Sequence, residues 1–340
     1  MKRMLSCALA FMAWASTIFS PALAQDYESW PQRPINIVVG FGAGGTTDLV
    51  ARGLAAEMEK LLGVRITVNN MPGADGATAY QHVLSSPRDG YTIAAFSSSI
   101  GTMAVLGSHP SSVYSHWQPW VAATFDGVVS VGKNSPFENF EQLLEKAKAN
   151  PNTITLAASN AGSVWHVQSE LLRSYAGVHF KFVAYPGSHP SQVAAMAGDV
   201  DVVWTAIGEQ RDLIRSGQLR PLTVFRSTSA NIEGAGEIPP VTQFLPDLEK
   251  RLPLSSYIGI MVAQDTPEKI KEKIERAFVA ATQTEAFRNL VEGTLAGTVL
   301  GYAGKESLAY VRKQTSSSSW LLHELGLTQH SPEKFGIPRP

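Results

Sequence analysis

The segment Ile35-Asn36-Ile37-Val38-Val39-Gly40-Phe41-Gly42-Ala43-Gly44-Gly45-Thr46-Thr47-Asp48 joins three local signals in fourteen residues. Ile35 to Val39 is a β-branched run after Pro34 and predicts a short strand. Gly40 to Thr47 is a glycine-rich turn. From Asp48 to Leu62, apolar residues fall at Leu49, Val50, Leu54, Met58, Leu61 and Leu62. That spacing describes one face of a helix, which Gly63 stops. Val64 to Val68 then predicts a second strand, Met71 to Gly76 a turn, Ala77 to Leu84 a helix, and Tyr91 to Phe96 a third strand. A βαβαβ order predicts a parallel sheet in an α/β fold, each sheet flanked by helices.

A second unit starts near Val128. Helices are expected at Leu143 to Ala149, Ser163 to Tyr175, Ser191 to Ala197 and Gln210 to Ser216. They alternate with strands at Thr153 to Ala157, Phe180 to Ala184, Val200 to Trp204 and Leu222 to Phe225. Arg226 to Pro246 is rich in Ser, Gly and Pro and reads as a connection. A strand at Tyr257 to Val262 and helices at Pro267 to Gln283, Glu285 to Glu292 and Lys305 to Leu325 close the chain. This last part is expected to return to the first unit. One lobe then comprises residues 25–125 and 247–340, and the other residues 126–246.

The first 24 residues are a separate matter. Lys2 and Arg3 precede an apolar run from Leu5 to Phe19, and Pro21-Ala22-Leu23-Ala24 ends in an A-x-A pattern. This is the order of a secretory signal peptide cleaved after Ala24, and the run is too short for a span of about 20 apolar residues. Cys7, the only cysteine, lies inside this segment, so the mature chain has neither a disulfide nor a thiolate. Without Lys2 and Arg3 the basic residues number 26 against 29 acidic ones, a formal charge of −3. That balance excludes the electrostatic footprint of a nucleic-acid binder.

Chemistry concentrates in the first turn. Gly42, Gly44 and Gly45 leave backbone amides free, Thr46 and Thr47 add hydroxyls, and the helix start adds its dipole, which together make a cradle for an anion. Asp48 is placed to cap the loop amides. A plain glycine turn of an α/β domain is the other reading. A dinucleotide fingerprint would need glycine where Thr47 stands, and a Walker loop would need a lysine that is absent.

Phe41-Gly42-Ala43-Gly44-Gly45-Thr46-Thr47-Asp48 resembles the signature loop of the Bug/TctC family, the solute-binding proteins of tripartite tricarboxylate transporters. Four further matches follow in order: Asn70-Met71-Pro72-Gly73-Ala74-Asp75-Gly76, Arg88-Asp89-Gly90-Tyr91-Thr92, Gly162-Ser163-Val164-Trp165-His166, and Tyr185-Pro186-Gly187 with Gly198-Asp199-Val200-Asp201. The resemblance implies a periplasmic, two-lobed Venus-flytrap protein of type II that closes on a small organic acid and hands it to the membrane subunits of a transporter. It implies a monomer that uses no cofactor, metal or catalysis. Carried over, ligand contacts fall at Phe41, Gly42, Ala43, Gly44, Gly45, Thr46, Asp48, Ser97 and Ser98 on the first lobe. On the second they fall at Ser159, Asn160, Gly162, Ser163, Val164, Trp165, Tyr185, Gly187 and Thr205.

Thr205 stands where the family often has aspartate, and Trp165 and Trp204 are unusual for their neighbourhoods. Trp204, at a strand end, reads as core. Trp165 has two open readings, core or cleft wall, and the second would suit an aromatic acid such as a phthalate isomer. A hydrolase or isomerase on the same cleft is the competing function. Against it, the eight histidines form no H-E-x-x-H pattern, no G-x-S-x-G elbow precedes a helix, and His166 reads as a packed histidine tied to a neighbouring loop.

Overall fold

The computed structural model describes residues 27–340 apart from residue 233; the expected signal peptide at residues 1–24 lies outside the described residues. In chain order, the first half contains β1 (Ile35–Val39), α1 (Thr46–Leu62), β2 (Ile66–Asn70), α2 (Ala77–Ser85), β3 (Thr92–Ser97), α3 (Met103–Leu106), β4 (Trp117–Phe125), β5 (Gly127–Gly132), α4 (Phe140–Ala149), β6 (Thr155–Ala158) and α5 (Val164–Ala176). There follow β7 (Lys181–Ala184), α6 (Ser188–Ala197), β8 (Val202–Ala206), α7 (Ile207–Arg215), β9 (Leu219–Val224), β10 (Ala230–Ile232), β11 (Gly236–Ile238), α8 (Val241–Phe244), β12 (Ser256–Ala263), α9 (Glu268–Gln283), α10 (Glu285–Arg288), β13 (Thr298–Tyr302) and α11 (Gly304–Glu324).

Two sheets organise these elements. The first has the order β13-β4-β12-β3-β1-β2 and the second β7-β6-β8-β5-β9, with β10 and β11 forming a separate ribbon. Apolar side chains cover both faces of each sheet. Val38, Ala94 and Phe96 pack on one side of the first sheet, and Ile37, Ile93 and Ala95 on the other. β5 and β12 are buried along their whole length, as strands covered on both faces must be.

The expected parallel sheet is only partly present. β1 pairs in parallel with β2 and β3, but β12 is antiparallel to both β3 and β4, and β13 is antiparallel to β4. These three strands are not joined to their neighbours by helical crossovers, which is what would force parallel pairing. β4 carries Pro119 within it, a residue that in sequence alone argues against a central strand.

The chain passes between sheets twice. Asp126 alone joins β4 to β5, and residues 225–255 join β9 to β12. The two crossings are tied together. Ser255 donates to Asp126 Oδ1 at 2.7 Å, and Arg226 lies 3.4 Å from Asp126 Oδ2.

Candidate functional site

A crevice with an empty volume of about 790 Å³, part of it open solvent, separates the two sheets. Its first wall begins at the C-terminal ends of β1 and β3. Gly40 must be glycine, because a Cβ there would lie 2.5 Å from the Cα of Gly76. That close approach seats the β1–α1 loop on the turn before α2. Asn70, at the end of β2, donates to the Phe41 carbonyl at 3.1 Å and to Asp48 Oδ1 at 2.9 Å. The second family-like motif therefore braces the first.

Asp48 is itself part of the brace. It is 2 % exposed, accepts from the Gly44 amide at 2.9 Å, and pairs with Arg52 at 3.0 Å. Burial pushes its carboxyl up, but Arg52, the Gly44 amide and Asn70 outweigh burial and hold it below the ordinary carboxylate range. Of the first-lobe residues named from the sequence, Phe41, Gly42, Ala43, Gly45, Thr46, Ser97 and Ser98 line the crevice, joined by Thr47 and Ser99. Gly44 and Asp48 do not line it. The Gly44 amide is consumed by Asp48, whose side chain points into the loop.

The opposite wall is built at the starts of α5, α6 and α7. Of the second-lobe residues named from the sequence, Ser159, Asn160, Ser163, Val164, Trp165 and Gly187 line it. Ser163 caps α5, accepting from the His166 amide at 3.4 Å and donating to the Asn160 carbonyl at 2.8 Å. His166 Nδ1 accepts from the Gly162 amide at 3.0 Å, so its proton sits on Nε2, 3.8 Å from Glu170. Burial, then the Arg173 charge, pushes this imidazole down to about 4, which keeps it neutral. Ser163 and His166 are committed to holding the β6–α5 loop.

Three expected contacts on this lobe lie elsewhere. Thr205 is fully buried, and its hydroxyl accepts from Gln192 at 3.0 Å and Gln210 at 3.1 Å below the crevice floor. Tyr185 is half-buried and packs against the core of the second lobe. Gly162 is buried at a contact between lobes, where its carbonyl accepts from Thr102 at 2.7 Å. Its φ is +82°, and a Cβ there would meet Leu106 at 2.2 Å, so glycine permits the lobes to meet. Trp204 is core, with its ring 5.2 Å from that of Phe225. Trp165 is only 5 % exposed yet lines the crevice beside Phe41 and Phe125.

Sequence reasoning missed Glu209. α7 begins at Ile207, three residues before the expected helix, which places Glu209 at its third position. From there one carboxylate oxygen reaches back to the Ala206 amide at 3.3 Å. The other crosses the crevice to accept from the Thr46 hydroxyl at 2.6 Å and its amide at 3.4 Å. A glutamate three residues after a strand end was the available signal, since N3 glutamate is favoured at a helix start.

Four helix N-termini thus meet at one crevice. α1 comes from the first lobe, and α5, α6 and α7 come from the second. Their amides and partial positive charges suit a carboxylate without arginine or lysine, and among the described residues neither lines the crevice. Among the described residues no group of three or more His, Cys, Asp or Glu could hold a metal ion, and no helix is long and apolar enough to cross a membrane.

A family model described as tripartite tricarboxylate transporter family receptor matches residues 50–327. The UPF0065 protein in the tcbD-tcbE intergenic region of Pseudomonas sp. (strain P51) is 30% identical over 299 residues, 85% of this chain and 86% of that protein. Protein BugT of Bordetella pertussis is 29% identical, covering 84% of this chain and 86% of its own length. Among solved structures, the periplasmic binding protein BugD aligns with a TM-score of 0.76 at 25% identity over 88% of this chain and 99% of that one. Rpa4515 of R. palustris, solved with adipate, aligns at 0.73 and 23% identity over 92% of this chain and all of its own. MatC of Rhodopseudomonas palustris, with bound malate, aligns at 0.73 and 21% identity over 86% of this chain and all of its own.

Proposed function

The chain belongs to the tripartite tricarboxylate transporter receptor family, and from that membership we propose that it captures a small organic carboxylate in the periplasm and delivers it to the membrane subunits of such a transporter. The observation that carries this reading is the crevice itself. Helix N-termini from both lobes face a cavity rich in serine hydroxyls and, among the described residues, lined by no lysine or arginine. Such a site can hold a carboxylate by charge-assisted hydrogen bonds, each worth about 1.5–3 kcal/mol. Closure of the lobes would bury the acid between Ser97–Ser98 on one side and the loops at Ser159–Val164 and Gly187 on the other. The adipate and malate bound by the two structural neighbours support a small organic acid as the class of ligand.

A second reading concerns the ligand's body. Phe41, Phe125 and Trp165 give the crevice three aromatic walls, which favours an aromatic acid over a short aliphatic one. A thermal-shift screen of the mature protein against aliphatic and aromatic carboxylates tests both readings. Stabilisation is expected from at least one acid, by about 2.7 kcal/mol at a hundred times its Kd. A screen in which no acid stabilises the protein would refute the proposal. Turnover of a bound acid that stops on substitution of Ser163 or His166 would favour the enzyme reading instead.

A further inference from the structure

Among the described residues, Glu209 is the one carboxylate lining the crevice, and the only other ionisable side chain there is His189. No lysine or arginine among the described residues lines the space, so none of them neutralises Glu209 within the cavity. Its position is fixed from both lobes, by the Ala206 amide on its own side and by the amide and hydroxyl of Thr46 on the other. Thr46 begins α1, the first-lobe seat that the chemistry of the glycine loop offers to an anion. A side chain of the protein already occupies that seat with the chemical group the seat is built for.

Two consequences follow for a ligand in the closed crevice. Its acid group is directed to the remaining donors, the serines at Ser97–Ser98 and the starts of α5 and α6. Its other end meets Glu209. A carboxylate accepts about four hydrogen bonds, and Glu209 uses three, so an acceptor position is left for the ligand. A second ligand carboxylate brought to that position would repel Glu209 across a partly desolvated gap, whereas an ammonium group would be attracted. Building on the carboxylate reading above, we propose that Glu209 is a specificity-determining residue that selects acids carrying a cationic nitrogen at the end opposite the carboxylate, in preference to dicarboxylates.

The test compares acids of matched length by isothermal titration calorimetry near neutral pH: 4-aminobutanoate against succinate, 6-aminohexanoate against adipate, and 4-(aminomethyl)benzoate against terephthalate. The wild-type protein is expected to bind the amino acid of at least one pair about tenfold tighter than its dicarboxylate partner. Glu209→Gln keeps an acceptor for Thr46 and is expected to remove that preference. A wild-type preference for the dicarboxylate in every pair that binds would overturn the proposal without any variant being needed. An unchanged preference in Glu209→Gln would do the same. So would equal tightening of both members of a pair by the substitution, because Glu209 would then be a self-occupying latch that every acid displaces. If the folded wild type and variant bind none of these acids but a broad carboxylate screen stabilises them, only the nitrogen preference fails. If no carboxylate binds at all, the underlying reading fails with it.

Discussion

Gly45→Val separates folding from binding at the first-lobe wall. Gly45 precedes α1 with φ −75° and ψ 164°, a conformation open to any residue. A Cβ added there would meet only the Gly42 carbonyl, at 3.6 Å, which is ordinary contact. The valine branches would therefore extend into the crevice that Gly45 lines. Stability should fall by about 1 kcal/mol, because glycine is a better helix cap than valine. Binding should suffer more. Excluding the acid from even one charge-assisted hydrogen bond costs about 1.5–3 kcal/mol, or roughly 10- to 150-fold in Kd. Calorimetric titration with the best acid from the thermal-shift screen measures the affinity, and circular dichroism with urea unfolding measures the fold. A variant that is folded and binds with unchanged affinity would remove Gly45 from the site and refute the placement of the ligand against the first-lobe wall.

Other outcomes follow from the same geometry. Gly162→Ala places a methyl 2.2 Å from Leu106 at a φ of +82°, so it should hinder lobe contact and weaken acid binding about tenfold or more, read by the same titration. Asn70→Ala removes the brace from Phe41 and Asp48 and should cost about 1–3 kcal/mol in urea unfolding, with loss of affinity as the loop loosens. The pH dependence has a definite sign. His166 titrates near 6.5 when unfolded and near 4 in the native protein, so its contribution is complete above pH 6.5 and is lost as pH falls toward 4. The loss is up to about 3 kcal/mol, offset in part at the acid end by Glu170, whose carboxyl burial raises. Urea unfolding across that range should show this slope in the wild type and a flatter one in His166→Gln; equal slopes would contradict a neutral buried imidazole.

Much of the first lobe was legible because its signals are local. The run Ile35 to Val39, the glycine turn and the helical period after Asp48 each report on neighbours in sequence, and β1, the loop and α1 appear there. What stayed hidden depends on partners far along the chain. The capping of the loop amides by Asp48 was legible from its place at the helix start, but the ligand contact carried over from the resemblance is not seen, because Gly44, Arg52 and Asn70 claim its carboxylate. Thr205 sits at a strand end, which suggests a cleft position, but Gln192 and Gln210 bury its hydroxyl. Glu209 was lost to a helix start placed three residues late, and its contact with Thr46 spans 163 residues. β4 is obscured by Pro119, which pairs with Met261 of β12 but lies beyond the stretch Val121 to Thr124 that β13 pairs with.

The most direct measurement is a crystal structure of the protein with the acid that stabilises it most. The account predicts the acid between the lobes, its carboxylate within hydrogen-bonding distance of serine hydroxyls or amides at the starts of these helices, and no lysine or arginine touching it. An acid bound outside this crevice, or one held there by a cationic side chain drawn in from elsewhere, would contradict it.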